Sequence, residues 1–344
     1  MSNIKKDLLS RVGDLSQVFG ACESRICSGP GTGVRQIEVR NGRMSFTVLP
    51  DRAMDIAELS YAGVNFSYMS KTGIADSRFN SDDRHFFRTF HAGLMTTCGL
   101  RNVGSPVEDS GEYFGIHGRI SNIPASEVSV VTSFEDDWTP VINISGTVRE
   151  AAFFGENIVL RRTIRTRYGS PRIEVFNTVE NEGFRDEILM FLLHCNVGYP
   201  LLDACTRFIA PAVSTEPRDE DARAGADRWT YMDAPTPEYR EQVFYHTLPE
   251  SSDVRVGFVN PSLGLGLTLS YNTADFPLLG EWKQMGQGEY VAAMEPSNCY
   301  VGGRLDPRNA GRLTVLAPFG SRHFDVCFDV LEGAEAMNFI TGIM

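Results

Sequence analysis

The sequence predicts an all-β fold of packed antiparallel sheets with few, short helices. Three observations carry this. Stretch after stretch alternates apolar and polar residues with a period of two, as a half-buried strand requires. Short turn-forming clusters separate these stretches. Apolar spacing of the i, i+3, i+4, i+7 kind is scarce and confined to the two ends of the chain.

Taken in order, the N-terminal segment MSNIKKDLLSRVGDLSQVFG has helical character and no apolar core of signal-peptide length. Ile37–Arg40 and Met44–Val48 alternate on either side of Asn41-Gly42, a dipeptide that takes the positive φ angles of a tight hairpin turn. Val141–Val148 alternates again. Ile158–Arg165 and Arg172–Phe176 follow, joined by the turn Tyr168-Gly169-Ser170-Pro171. Val254–Val259 and Leu265–Leu269 flank a turn opened by Asn260-Pro261-Ser262. Near the end, Leu313–Leu316 and His323–Leu331 read as a further strand pair. Antiparallel strands joined by short turns imply packed sheets in place of a parallel α/β fold. Residues 70–90 and 211–240 break the pattern with charge and turn formers, and read as long loops of the kind that rim functional sites. No linker divides the chain. One domain is expected over 1–344, with 1–30 an N-terminal extension and 31–335 the core.

Composition excludes several functions. The 344 residues carry a net charge of −12 with no Lys/Arg run, which disfavours nucleic acid and anionic membranes as partners. Seven cysteines at irregular spacing give neither a disulfide framework nor a zinc pattern, and reduced thiols in a cytoplasmic protein are expected. No segment has the ~20 apolar residues of a membrane span. Exposed β edges allow a homodimer.

Chemistry concentrates in three places. His117 lies in GIHGRISN, where flanking glycines allow a ligand close to the backbone. His194 ends the apolar run FLLHCN before Gly198-Tyr199-Pro200, and strand alternation puts Asn196 on its face. Glu295 follows four apolar residues in VAAMEPSN. Each alone is also compatible with a structural role: a core histidine satisfied by hydrogen bonds, or a carboxylate at a strand end.

Their combination resembles the galactose mutarotase-like (aldose 1-epimerase) superfamily, in particular an uncharacterised aldose 1-epimerase-like branch. The resemblance runs through residues 51–73, 87–106, GIHGRISNIPA (115–125), FLLHCNVGYPLLD (191–203) and GEWKQMGQGEYVAAMEPSN (280–298). It implies a β-supersandwich with a sugar cleft and no cofactor. It also implies His194 as general acid on the ring oxygen, Glu295 as general base on the anomeric hydroxyl, and His117 as a binder of ring-side hydroxyls. Arg119 and Arg88 are the candidates for a sugar-gripping arginine, and Glu281, beside Trp282, for an additional sugar-binding acid. Trp282, Tyr290 and Phe114 are candidate aromatic platforms. The sequence departs from the branch at His91, where relatives carry Gly, so reshaping of the pocket is expected there. It departs again at Leu316–Gly320 and in the long 70–90 loop, where Arg78, Arg84 and Arg88 can converge.

The expected activity is interconversion of the anomers of a free monosaccharide. A base takes the anomeric proton while an acid protonates the ring oxygen, which needs one carboxylate and one imidazole. The alternatives are isomerisation next to a carbonyl, with or without a metal held by the histidines and Glu295, and sugar binding without turnover.

Overall fold

Three antiparallel sheets share one apolar interior in the computed structural model, which describes residues 4–80 and 83–342. The first, of five strands in chain order, holds Phe19–Arg25, Arg35–Asn41, Met44–Leu49, Asp55–Tyr61 and Val64–Asn65. Phe19–Arg25 pairs along its whole length with Arg35–Asn41, so the segment before residue 31 contributes a strand. Gly42 closes the expected hairpin at φ 60°.

The second sheet has nine strands. Pro140–Ala151, Asn157–Arg167 and Arg172–Asn181 form its longest meander, and Val254–Asn260, Leu265–Tyr271 and Val326–Glu332 continue it. The third sheet, of seven strands, carries the chemistry. Its central run is Gln242–Thr247, Leu278–Gly286, Glu289–Ser297 and Glu187–Val197, with Thr96–Leu100 added along the last. Among the described residues only four short α-helices occur, two of them (Ile4–Leu9 and Ala334–Thr341) at the ends of the chain. No helix of the described residues is long and apolar enough to cross a membrane.

One expected pairing does not form. Thr314–Leu316 joins the seven-stranded sheet against Glu187–Leu189, whereas Val326–Glu332 lies in the nine-stranded sheet. The chain crosses between sheets at 317–320, since Ser321–His323 already pairs with Thr178–Glu180 of the nine-stranded sheet, and sequence proximity gives no sign of this, because both segments have the same alternation.

Alternation explains the packing. In the strand Arg172–Asn181, Ile173, Val175 and Val179 are buried and pack into the main core, while Arg172 and Phe176 face outward. The core also holds charge. Arg162 and Asp55, both fully buried, pair at 3.1 Å. Arg162 further donates to Ala53 O, Asn177 Oδ1 and Thr97 Oγ1. Asp55 Oδ1 accepts from the Thr97 backbone at 3.0 Å and from its hydroxyl. This cluster ties one strand of each sheet together at a point where apolar contact alone would not set the register.

Candidate active site

The outer face of the seven-stranded sheet forms the floor of a cleft of about 520 Å³. Register places its chemistry. Cys195 faces Met294 and Leu192 faces Ser297 in an antiparallel ladder, which sets His194 opposite Glu295 on one face. His194 Nε2 lies 3.1 Å from Glu295 Oε1. On its other flank Glu295 pairs with Gly280, where a Cβ would stand 3.0 Å from Glu295 Oε2. The missing side chain makes room for the carboxylate. Val243, Trp282, Gln284 and Val291 continue the same face.

His117 comes from a different kind of element. Its backbone has φ +57°, followed by Gly118 at +72°, a tight left-handed turn. A Cβ on Gly118 would collide with Gly99 O at 2.1 Å, and one on Gly115 with Asp83 O at 2.3 Å. The two glycines therefore serve close approach of backbone to backbone, and not of a ligand. His117 N donates to Gly104 O, and Gly104 N donates to His117 Nδ1 at 3.3 Å. With Nδ1 accepting, the neutral ring carries its proton on Nε2 as a donor. The two imidazoles meet edge to face at 5.7 Å.

Aromatic rings close round the pair. Phe90 and Trp282 each lie 5.3 Å from His194, and Phe86 lies 5.3 Å from His117. Phe86, Phe87 and Phe90 belong to the 70–90 segment, which also supplies Ser70, Lys71 and Thr72 to the cleft. This apolar surround governs protonation. Burial pushes the Glu295 carboxyl well up, with Glu241 adding to the rise. Burial pushes His194 down, against a smaller upward pull from Asn196, and holds His117 down at about 3. Each partner of the His194–Glu295 pair is driven toward its neutral form, so the pair holds one proton between the two side chains.

The opposite wall is polar. Trp282 Nε1 donates to Glu241 Oε2 at 2.8 Å, and Arg218 pairs with Glu241 at 3.0 Å and with Asp219 at 2.7 Å. Arg218 and Glu241 both line the cleft. They stand in and just after the 211–240 segment and belong to no local motif.

Several sequence candidates sit elsewhere. Arg119 does not line the cleft; it is held by Asp83, Glu112 and Tyr113 O. The left-handed turn at His117-Gly118 sends its side chain away from the imidazole. Arg88 is exposed and outside the lining, Arg78 pairs with Asp76, and Arg84 stacks 3.9 Å over Tyr113, so the three do not converge on the cleft. Glu281 is fully buried against His246 Nε2 at 3.1 Å, because adjacent strand residues face opposite ways and Trp282 takes the cleft side. Asn196 is buried beside the site, its amide on Gly93 O and His194 O. Tyr290 donates to Asp233 O, and Phe114 is buried among Arg101, Arg119 and Arg304; neither lines the cleft. His91 is fully buried and also outside the lining, so it does not reshape the pocket directly. Among the described residues no group of three or more His, Cys, Asp or Glu is placed to hold a metal ion.

Solved structures share this architecture. A putative aldose 1-epimerase from Klebsiella pneumoniae subsp. pneumoniae superposes with a TM-score of 0.89 at 24% identity, over 94% of this chain and 87% of that one. A galactose mutarotase-like protein from Clostridium acetobutylicum gives 0.64 at 14% identity, over 92% and 99%. Galactose 1-epimerase from Lactobacillus acidophilus gives 0.57 at 14% identity, over 92% and 99%. The fold is thus galactose mutarotase-like. No curated protein matches the sequence significantly. The family described as domain of unknown function DUF4432 matches residues 31–330, which take in every residue of the cleft and all but the first strand, Phe19–Arg25, and the last residues of Val326–Glu332 among the strands of the three sheets, and the chain belongs to that family.

Proposed function

We propose that the protein is an aldose 1-epimerase-type isomerase that interconverts the α and β anomers of a free monosaccharide. The contact of His194 Nε2 with Glu295 Oε1 at 3.1 Å, on the floor of an aromatic cleft, carries the reading. The pair's single proton can move from carboxyl to imidazole across that contact, producing base and acid together without exchange with solvent. Glu295 then takes the anomeric hydroxyl proton while His194 delivers its own to the ring oxygen. The C1–O5 bond breaks and the open-chain aldehyde forms. Rotation about C1–C2 presents the other face of the carbonyl; on reclosure the O5 hydroxyl attacks C1 and gives its proton back to His194, while Glu295 returns its proton to the anomeric oxygen, so the pair again holds one proton. No cofactor enters this scheme.

His117, neutral with its Nε2–H free to donate, holds a ring hydroxyl. Arg218 and Glu241 take the gripping and acidic roles for which the sequence offered Arg119, Arg88 and Glu281. Trp282 and the three phenylalanines cover the C–H face of the sugar. Among the described residues that line the cleft, the cations Arg218 and Lys71 are each paired with a carboxylate, at Glu241 and Glu289, and a neutral sugar suits it.

The test is anomer exchange by NMR saturation transfer over a panel of free aldoses and ketoses. The native protein accelerates exchange of some sugars, and Glu295→Gln and His194→Ala each lose about 100-fold or more of that rate, the scale of general acid–base catalysis. A native protein that binds sugars and accelerates none overturns the reading.

A further inference from the structure

At one end of the nine-stranded sheet, three turns lie side by side and each exposes phenylalanine. The hairpin tip 152–156 carries Phe153 and Phe154, both 90% exposed; the turn 182–186 carries Phe184, 88% exposed; the turn 317–320 carries Phe319, 60% exposed. Hydrogen bonds fix the three as one surface. Glu182 N donates to Asn157 O, Phe319 N to Asn181 O, and Asn181 N to Gly320 O. The buried Asn181 amide adds bonds to Arg185 O and Leu316 O. Phe153 packs on Phe154 at 4.1 Å and Phe184 on Phe319 at 5.3 Å.

Two features set this patch apart from scattered surface apolar residues. Phe154 and Phe319 have φ of +62° and +59°, a backbone region that Gly or Asn occupies at lower cost than a bulky ring. Nothing in the folding of the chain repays a ring there, since these side chains leave most of their surface in water. The size is also out of the ordinary. At ~200 Å² for each ring residue, the four present roughly 650 Å², above the roughly 300–600 Å² of the largest patch on a typical monomer.

From this surface we infer that the protein self-associates through the phenylalanine patch, in a two-fold dimer of two copies of this chain. The area decides in favour of a second copy: a standard interface buries about 800 Å² per partner, which the patch and a narrow rim supply. The charges agree. The rim residues Arg149, Arg161 and Arg185 are already paired with Glu180, Glu182 and Glu187 of the same chain. A balanced rim lets two chains of net charge −12 approach, whereas a strongly charged partner would find no complement. Two-fold packing sets each patch against itself, so one chain supplies both halves.

Sedimentation velocity of the full chain, from nanomolar to high micromolar concentration, tests this with the variants Phe153→Ser/Phe154→Ser and Phe184→Ser. The native protein is dimeric at micromolar concentration. Each variant weakens association by about 30-fold or more, as loss of a hot-spot aromatic does, with unchanged circular dichroism and anomer exchange. Three results overturn the inference. The native protein stays monomeric throughout; or the dimer is indifferent to both variants, which places the interface elsewhere, for instance on the exposed edge strand Ser126–Phe134; or a native monomer floats with phosphatidylcholine vesicles through the same phenylalanines, which makes lipid the occupant.

Discussion

Replacing Arg162 by Met tests whether the buried charge cluster, and not apolar packing alone, holds the three sheets in register. The Asp55–Arg162 contact of 3.1 Å lies wholly out of water. At an effective dielectric of ~20, two unit charges at this distance attract by roughly 5 kcal/mol, most of which offsets their desolvation. Removing Arg162 leaves the desolvation of Asp55 without the attraction, and breaks the bonds to Ala53 O, Asn177 Oδ1 and Thr97 Oγ1. Loss of one partner of a buried pair costs about 3–5 kcal/mol. For a chain of this size that lowers the melting temperature by roughly 4–7 °C. Removing the stranded charge as well, in Asp55→Asn/Arg162→Met, recovers part of the loss, and the coupling energy of the double-mutant cycle is favourable by about 1–3 kcal/mol. Urea unfolding followed by circular dichroism measures all three variants. A single variant within about 1 kcal/mol of the native protein, or a double variant as unstable as the sum of the singles, refutes the reasoning.

Gly280→Ala brings a Cβ to 3.0 Å from Glu295 Oε2 and 3.2 Å from Glu295 Cβ, so the Glu295 side chain must give by a few tenths of an ångström beside His194. Anomer exchange falls by roughly tenfold or more, with secondary structure retained, since misplacement of a reacting group is costly. The rate of anomer exchange follows a bell in pH, because the pair works only while it holds one proton. Burial moves the acid limb below the ordinary histidine range and the alkaline limb well above the ordinary carboxylate range. A pH series of exchange rates checks both limbs. His91 has both ring nitrogens buried without a partner, and burial beside Arg52 holds its pKa well below 6.5. The unfolded chain takes up this proton below pH 6.5 and the folded chain does not, so the stability it contributes is present above 6.5 and lost as pH falls. In His91→Leu the decline between pH 6.5 and 5.5 is shallower by about 1 kcal/mol, measured by urea unfolding.

How much of this was legible depended on whether the signal was local. His117, His194 and Glu295 each stand in a short motif, and register brings the last two together as alternation implies. Arg218 and Glu241 could not be found that way: one directly follows the strand Ser214–Pro217 and the other directly precedes the strand Gln242–Thr247, and only the pairing of those two strands puts both in the cleft. Glu281 is instructive because the sequence contained the correction. A residue next to Trp282 in a strand must face the other side, so choosing Trp282 for the cleft already excluded its neighbour. Arg119 offered no such warning, since the left-handed turn at His117 is a property of the backbone. The crossing at 317–320 was hidden for a similar reason: period-two alternation says that a strand has a buried face and nothing about which sheet it joins.

The site and the core cluster share one physical demand. A carboxyl and an imidazole 3.1 Å apart in water would differ little from free side chains, each titrating on its own. Here the aromatic wall removes water, drives both toward neutrality and makes the proton common property. That works only if the separation is held, because a gap wide enough for water would restore ordinary titration. His194 is held from one side by Thr96–Leu100, through the ladder in which His194 faces Thr96, and Thr97 of that strand is fixed by Asp55 and Arg162. The ion pair that looks like an expensive way to stabilise a core therefore sits one strand from the His194–Glu295 pair. Loosening it in Arg162→Met should reduce anomer exchange by more than the unfolded fraction accounts for, and an activity loss that tracks the folded fraction would separate the two functions.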